Sequence, residues 1–287
     1  MQNNAANKPN LMSFAVYSAT LAAAGLPIYI HAPKFFVDNY GVSIAALGGV
    51  LFFLRLVDVI QDPVFGWISA RLGHQQKYAV FFAAVIMSAG MIGLFVLPPL
   101  TKPLLWFGIM LAMLFSGFSF LTISFYAQGV ETAKRLPGQG HIRLASWRES
   151  GALAGVCLAS IAPTLFALWT DQPFWAFSFI FVVFTGLAVT LMRSEWNRAP
   201  NMATFSLIPL VKDKTLRRLL VIAFVNSAPV AMTSTLFLLF VEYRLDAVGL
   251  EGPLLLLFFL SAAFSVPLWA RVTKFTSVKN ALLSGMV

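Results

Sequence analysis

Apolar residues fill this chain in segments of about twenty, parted by polar turns, at about 11–31, 43–66, 78–98, 103–127, 147–169, 173–192, 218–241 and 253–270. Each segment is long enough to cross a hydrocarbon core of about 30 Å as an α-helix. In lipid a single crossing has to be helical, because only a helix satisfies its backbone groups internally. Ala281 to Val287 reads as the start of one more segment. The pattern predicts an all-α integral membrane protein with eight transmembrane helices and the beginning of a ninth.

The turns alternate in character. Those near 32–42, 99–102, 169–173 and 244–252 are short, while the others are longer and basic. The longest, from Arg193 to Thr215, holds Pro200, Pro209, Asn197 and Asn201 with charges of both signs, which is the composition of a linker. Residues 1–192 then form a six-helix N-terminal half, 193–217 a cytoplasmic linker, and 218–287 part of a second half. Trp67 to Arg71 and Trp269 to Arg271 place a similar Trp-to-Arg element after the second helix of each half, as a parallel repeat of two six-helix halves predicts. The second half stops after two of its six helices.

One stretch breaks the apolar pattern inside a segment. In Leu54-Arg55-Leu56-Val57-Asp58-Val59-Ile60-Gln61-Asp62-Pro63 three ionisable side chains stand at i, i+3 and i+7, within an arc of roughly 60° on one helix face. A charge at the bilayer centre costs roughly 2.5–3.5 kcal/mol on insertion scales, so this face is expected to turn toward a protein-lined or watery cavity. Function is expected there. Two carboxylates one turn apart offer hard oxygens to Na⁺, or share a proton because like charges raise one pKa.

Composition agrees with the pattern: 59% of residues are hydrophobic, 11% are charged and the mean hydropathy is +0.81, against roughly 25% charged in soluble domains. The net charge of +9 does not call for a nucleic-acid partner. With the N-terminus inside, every Lys and Arg falls on the cytoplasmic side except Lys34, Lys102, Arg244 and the intramembrane Arg55, which is the positive-inside arrangement. The single Cys157 excludes a disulfide framework and reads as a small buried hydrophobe. His31, His74 and His141 have no second ligand at metal spacing. Met1 to Asn10 is polar, with no small-residue cleavage site after the first apolar segment, so that segment reads as a retained helix rather than a signal peptide.

Arg55-x-x-Asp58-x-x-x-Asp62-Pro63-x-x-Gly66, the following loop with Arg71 and Gly73, Glu131, and Arg143-x-x-x-Trp147-Arg148-Glu149 together resemble the glycoside-pentoside-hexuronide:cation symporters, the melibiose-carrier-like branch of the major facilitator superfamily. The resemblance implies a major facilitator fold of twelve helices, of which this chain reads as about the first two-thirds, as a fragment or a truncated product. It implies a secondary active transporter, not an enzyme, that couples Na⁺ or H⁺ to a small organic solute, a sugar or glycoside, by alternating access. Carried over by motif, Asp58 and Asp62 form the cation site and Arg148 lies beside the substrate. Thr122 offers a hydroxyl to the cation, Tyr126 stands where the family has a substrate-stacking tryptophan, and Tyr17 is a further aromatic residue able to face the cavity. Arg55 is the charge partner of the carboxylates in the empty state. Arg71, Gly73, Glu131, Arg143 and Glu149 belong to the cytoplasmic loops and gate. No cofactor is implied beyond the coupling ion. The expected partners are the solute, the cation and the lipid bilayer, with no nucleic acid, and the complete protein is a monomer in a bacterial cytoplasmic (inner) membrane. The chain departs from the family where the helix 1 acid falls on Ala22 to Ala24, where Thr122 replaces the helix 4 acid, and where Ala70 stands for a common aspartate. The cation site therefore transfers better than the substrate site.

Plainer readings stand beside these. Asp58 and Asp62 could form a salt bridge to Arg55 or simply reach water at the helix end, and Arg148 could be an anchor that snorkels to lipid phosphate. Glu131 and Glu149 read first as partners of Lys134, Arg135 or Arg143, and Tyr17, Tyr126 and Trp147 as packing residues. Asp58-x-x-x-Asp62 also has the spacing by which membrane prenyltransferases hold Mg²⁺-diphosphate, although the later acids Glu195 and Asp213 are isolated from one another. A nonfunctional truncated transporter is the third reading.

Overall fold

The computed structural model describes residues 9–138, 140–196, 213–219, 221, 222, 225, 244, 245, 250–276 and 278–285. Residues 1–200 with 256–287 form one compact unit and residues 201–255 a second. The helix bundle that carries the charged face belongs to the first. Most of the expected span at 218–241 lies outside the described residues.

The bundle has six long helices: α1 (Leu11–Tyr40), α2 (Ile44–Leu72), α3 (Gln76–Phe95), α4 (Pro103–Lys134), α5 (Gly140–Phe166) and α6 (Pro173–Leu191). A four-residue helix, α7 (Arg193–Trp196), follows, and further along the chain come α8 (Glu251–Phe275) and α9 (Val278–Gly285). Among the described residues no strand occurs. Among the described residues four stretches are long and apolar enough to cross a bilayer: 44–95, 103–134, 140–166 and 173–191. The first is 52 residues long. It is broken by the 3-10 turn Gly73–Gln75, where Gly73 at φ +49° redirects the chain between α2 and α3. Shorter apolar stretches lie at 11–25 and 253–265.

Helix ends are set by caps, and one cap changes the expected boundary. The Asn10 side chain starts α1 by accepting from the Met12 N–H at 3.1 Å. The expected turn at 32–42 is mostly helical instead: α1 continues to Tyr40, because the left-handed residue that can end it is Gly41, at φ +63°, whose N–H reaches the carbonyls of Phe36 and Val37. The turn shrinks to 41–43, and Ser43 opens α2 by accepting from the Ala46 N–H at 3.2 Å.

Small residues decide which helices meet closely. α1 lies along α5, with Gly151 and Gly155 against the backbone of Ala15 and Ala19, where a Cβ would overlap the carbonyls. This is the close approach that a Gly-x-x-x-Gly spacing permits between helices in lipid. α3 lies along α4 in the same manner, with Gly117 against Ala83 and Met87. α2 lies on α4, and α6 packs on α3, α1 and α5. Phe14, Phe36, Phe107 and Phe125 fill the core, while Phe52, Phe53 and Ile60 on α2 and Phe81 and Phe82 on α3 are left exposed, as an acyl-chain environment allows. Polar staples join the helices at the end that carries Gly73: Ser69 of α2 and Ser124 of α4 share a hydrogen bond of 3.1 Å, and Gln76 of α3 donates to Ser69 at 3.2 Å.

Candidate functional site

The charged face of α2 rests against α4 and α1. Asp58 and Asp62 line a cavity of about 110 Å³ with Arg55, Tyr29 of α1, and Phe115, Phe118, Ser119 and Thr122 of α4. The residues expected to hold the cation are thus brought together with their charge partner. The contents of the cavity are unequal. Arg55 Nη1 lies 3.3 Å from Asp58 Oδ2, and the guanidinium sits 4.6 Å over the Tyr29 ring, itself stacked on Phe115. Asp58 is therefore neutralised, with only 17% of its side chain exposed. Asp62 has no basic partner among the described residues; its contact is a hydrogen bond donated by the Ser119 hydroxyl. Thr122 Oγ1 is buried beside the carboxylates with no hydrogen-bond partner, so it keeps both lone pairs and a proton to offer.

Ser119 was not among the expected residues, although Ser116, Ser119 and Thr122 stand three apart and form a polar stripe on α4. Ser116 uses the stripe to donate to Gln61 at 3.0 Å. Tyr29 was missed as well, and nothing in its neighbourhood of apolar residues marks it.

A second group continues the face, one turn further along α4. Arg148 of α5 lies 4.3 Å over the Tyr126 ring and donates from both Nε and Nη2 to Glu149 Oε1, at 3.1 and 2.9 Å. Glu149 thus pairs with its own neighbour rather than with Lys134, Arg135 or Arg143. Trp147 is exposed beside them. Charges on α2 and α5 are costly to set against acyl chains, so this side of the bundle suits a watery or protein-lined space.

A wall of this kind in a helical membrane bundle is what a transporter presents to its solute, and the match to a known family agrees. A family model described as MFS/sugar transport protein matches residues 12–287. The chain belongs to that family. As an MFS/sugar transport protein it is an all-α, multi-pass integral membrane protein and a secondary transporter of the major facilitator superfamily. No curated protein and no solved structure matches the chain.

The remaining expected residues of this MFS protein lie away from the cavity. Tyr17 is only 2% exposed, stacked on Phe125 at 4.9 Å and tilted against Trp196 at 5.7 Å, in the core where α1 meets α4 and α7. It does not share the face that carries Asp62 and Arg148, because Phe14, Tyr17, Leu21 and Ala24 form the buried stripe of α1. Arg71 stacks at 3.9 Å on Trp67, one turn back on α2, and Glu131 pairs with Lys134 at 2.7 Å. Arg143 is exposed near the start of α5.

Sequence reasoning also passed over the charge that, among the described residues, is most completely buried. Glu195 of α7, 3% exposed, lies at the start of the expected linker and was read as an isolated acid. It accepts from Arg135 Nη2 at 3.0 Å, and the same nitrogen donates to Thr132 at 2.9 Å. Trp196 beside it is 1% exposed.

Proposed function

We propose that this MFS protein is a cation-coupled symporter of the melibiose-carrier-like branch, taking up a small polar solute, a sugar or glycoside, with Na⁺ or H⁺. It acts as a monomer in a bacterial cytoplasmic membrane, with its N-terminus inside. The observation that carries the proposal is the inequality of the two carboxylates: Arg55 neutralises Asp58, whereas Asp62 meets only the Ser119 hydroxyl. The face holds Arg55 and Arg148 against Asp58, Asp62 and Glu149, which leaves one negative charge, centred on Asp62. One monovalent cation cancels it.

Na⁺ would take oxygens from Asp62, Ser119 and Thr122; a proton would convert Asp62 to a neutral acid that can donate to Thr122. Either event lets the wall pass through an occluded, water-poor state without an unpaired charge, whose desolvation costs several kcal/mol. The cation therefore favours the states that close, and a solute that binds those states is carried with it. Arg148 supplies donors to solute hydroxyls, Glu149 an acceptor, and Tyr126 a ring for an apolar sugar face. Arg71, Gly73, Glu131 and Arg143 act at the cytoplasmic gate, and Tyr17 supports the site from the core rather than touching solute.

The test is uptake by proteoliposomes of the full-length protein, with and without an imposed Na⁺ or H⁺ gradient, across labelled glycosides and other organic solutes. Gradient-driven accumulation of a glycoside is expected. Equal uptake with and without both gradients would overturn the coupling, and accumulation of a non-sugar solute alone would overturn the substrate class.

A further inference from the structure

A second cavity, of about 290 Å³, has no part in the charged wall. It is a groove between α1, α5 and α6, floored by the small residues Ala19, Ala23 and Ala159 and walled by Leu165, Phe181 and Phe184. Its floor exists because Gly155 lets α5 lie on the α1 backbone. Two features of its shape and setting bear on what fits it. Along α5 the lining runs from Gly155 to Phe166, which at 1.5 Å per residue is about 16 Å. One leaflet of hydrocarbon is about 15 Å deep, half of a core of about 30 Å. At the loop end the lining closes on Trp169, 79% exposed, an amphipathic ring suited to the headgroup level. Asp171 follows two residues later, exposed and with no ion pair among the described residues.

We infer that this groove binds one acyl chain of an amine-headed zwitterionic phospholipid from the leaflet at that end, with the ammonium group placed at Asp171. The apolar lining takes the chain, Trp169 sits at the ester level, and the lone carboxylate selects an ammonium headgroup over an anionic one. The bound lipid is a fixed part of the α1, α5 and α6 face and not the transported solute. The inference stands apart from the proposed symport, since it uses no residue of the charged wall.

The test places the full-length protein in nanodiscs doped with phosphatidylethanolamine or phosphatidylglycerol carrying the same diazirine-labelled acyl chain, and maps photo-crosslinks by mass spectrometry. Residues 155–184 are expected to take at least fivefold more label from the ethanolamine probe than from the glycerol probe. Exposed Phe81, Phe82 and Val85 of α3 report bulk lipid and should show no preference. Asp171→Asn, a change in an exposed turn, should bring the two probes level, and Ala162→Trp should remove the label by filling the groove. Labelling of 155–184 no stronger than that of α3, or equal labelling by both probes in the unaltered protein, would overturn the inference. So would a groove shielded from both probes by another part of the protein.

Discussion

Two of the bundle's acid–base clusters are built in opposite ways. At the end carrying Gly73, Glu195 is buried with Arg135 and Thr132, and the carboxylate and the guanidinium complement each other. In the cavity between α2 and α4, Arg55 is shared out to Asp58 and two aromatic rings, and Asp62 is left with a neutral hydroxyl. The first arrangement minimises the cost of burying ions and gains nothing from a further cation. The second holds a charge ready for a partner that comes and goes. Completeness of pairing, rather than burial or net charge alone, separates a fastening from a coupling site.

That contrast can be broken most forcefully at Asp62. Asp62→Asn is expected to reduce gradient-driven accumulation by more than a hundredfold in proteoliposomes while the protein stays monodisperse and melts near the unaltered temperature. Glu195→Ala should do the reverse. Breaking a buried pair costs about 3–5 kcal/mol, and the low end applies because Arg135, 31% exposed, recovers part of its hydration; thermal unfolding should fall by several degrees with uptake per folded molecule within twofold. Arg55→Ala leaves Asp58 as well as Asp62 uncompensated. The apparent cation affinity should rise about tenfold, ~1.4 kcal/mol, read from the cation dependence of uptake or binding, and a fall would place Arg55 among the groups that hold the cation. Thr122→Val removes one hydroxyl at nearly constant shape and should weaken the cation about fivefold, ~1 kcal/mol, with no change in melting.

The helical character of the described segments and the charged face of α2 were legible because hydropathy and the 3.6-residue period report them directly, and Arg55, Asp58 and Asp62 do meet in one cavity. What completes the cavity was less accessible. Ser119 belongs to a stripe visible in the sequence, but its assignment to Asp62 needs the register of α4 against α2, which no local pattern fixes. Tyr29 lies among apolar neighbours with no periodic cue. Tyr17 could have been placed correctly, since its spacing with Phe14, Leu21 and Ala24 marks the core stripe of α1. Glu195 sits in a stretch whose prolines and mixed charges read as linker; its burial follows from Trp196 entering the core beside Tyr17, a tertiary event. The extension of α1 to Tyr40 turns on one residue, Gly41, whose left-handed conformation ends the helix later than hydropathy suggests.

The most direct measurement is the number of cations bound per chain by the full-length protein without solute, from ²²Na⁺ equilibrium dialysis and from proton uptake followed with a pH-sensitive dye. One ion, Na⁺ or H⁺, is expected per unaltered chain. Asp62→Asn should bind none, and Asp58→Asn should also lose it because the freed Arg55 turns to Asp62. Undiminished binding in Asp62→Asn would contradict the assignment of the uncompensated charge, and with it the account of how this wall is coupled to a cation.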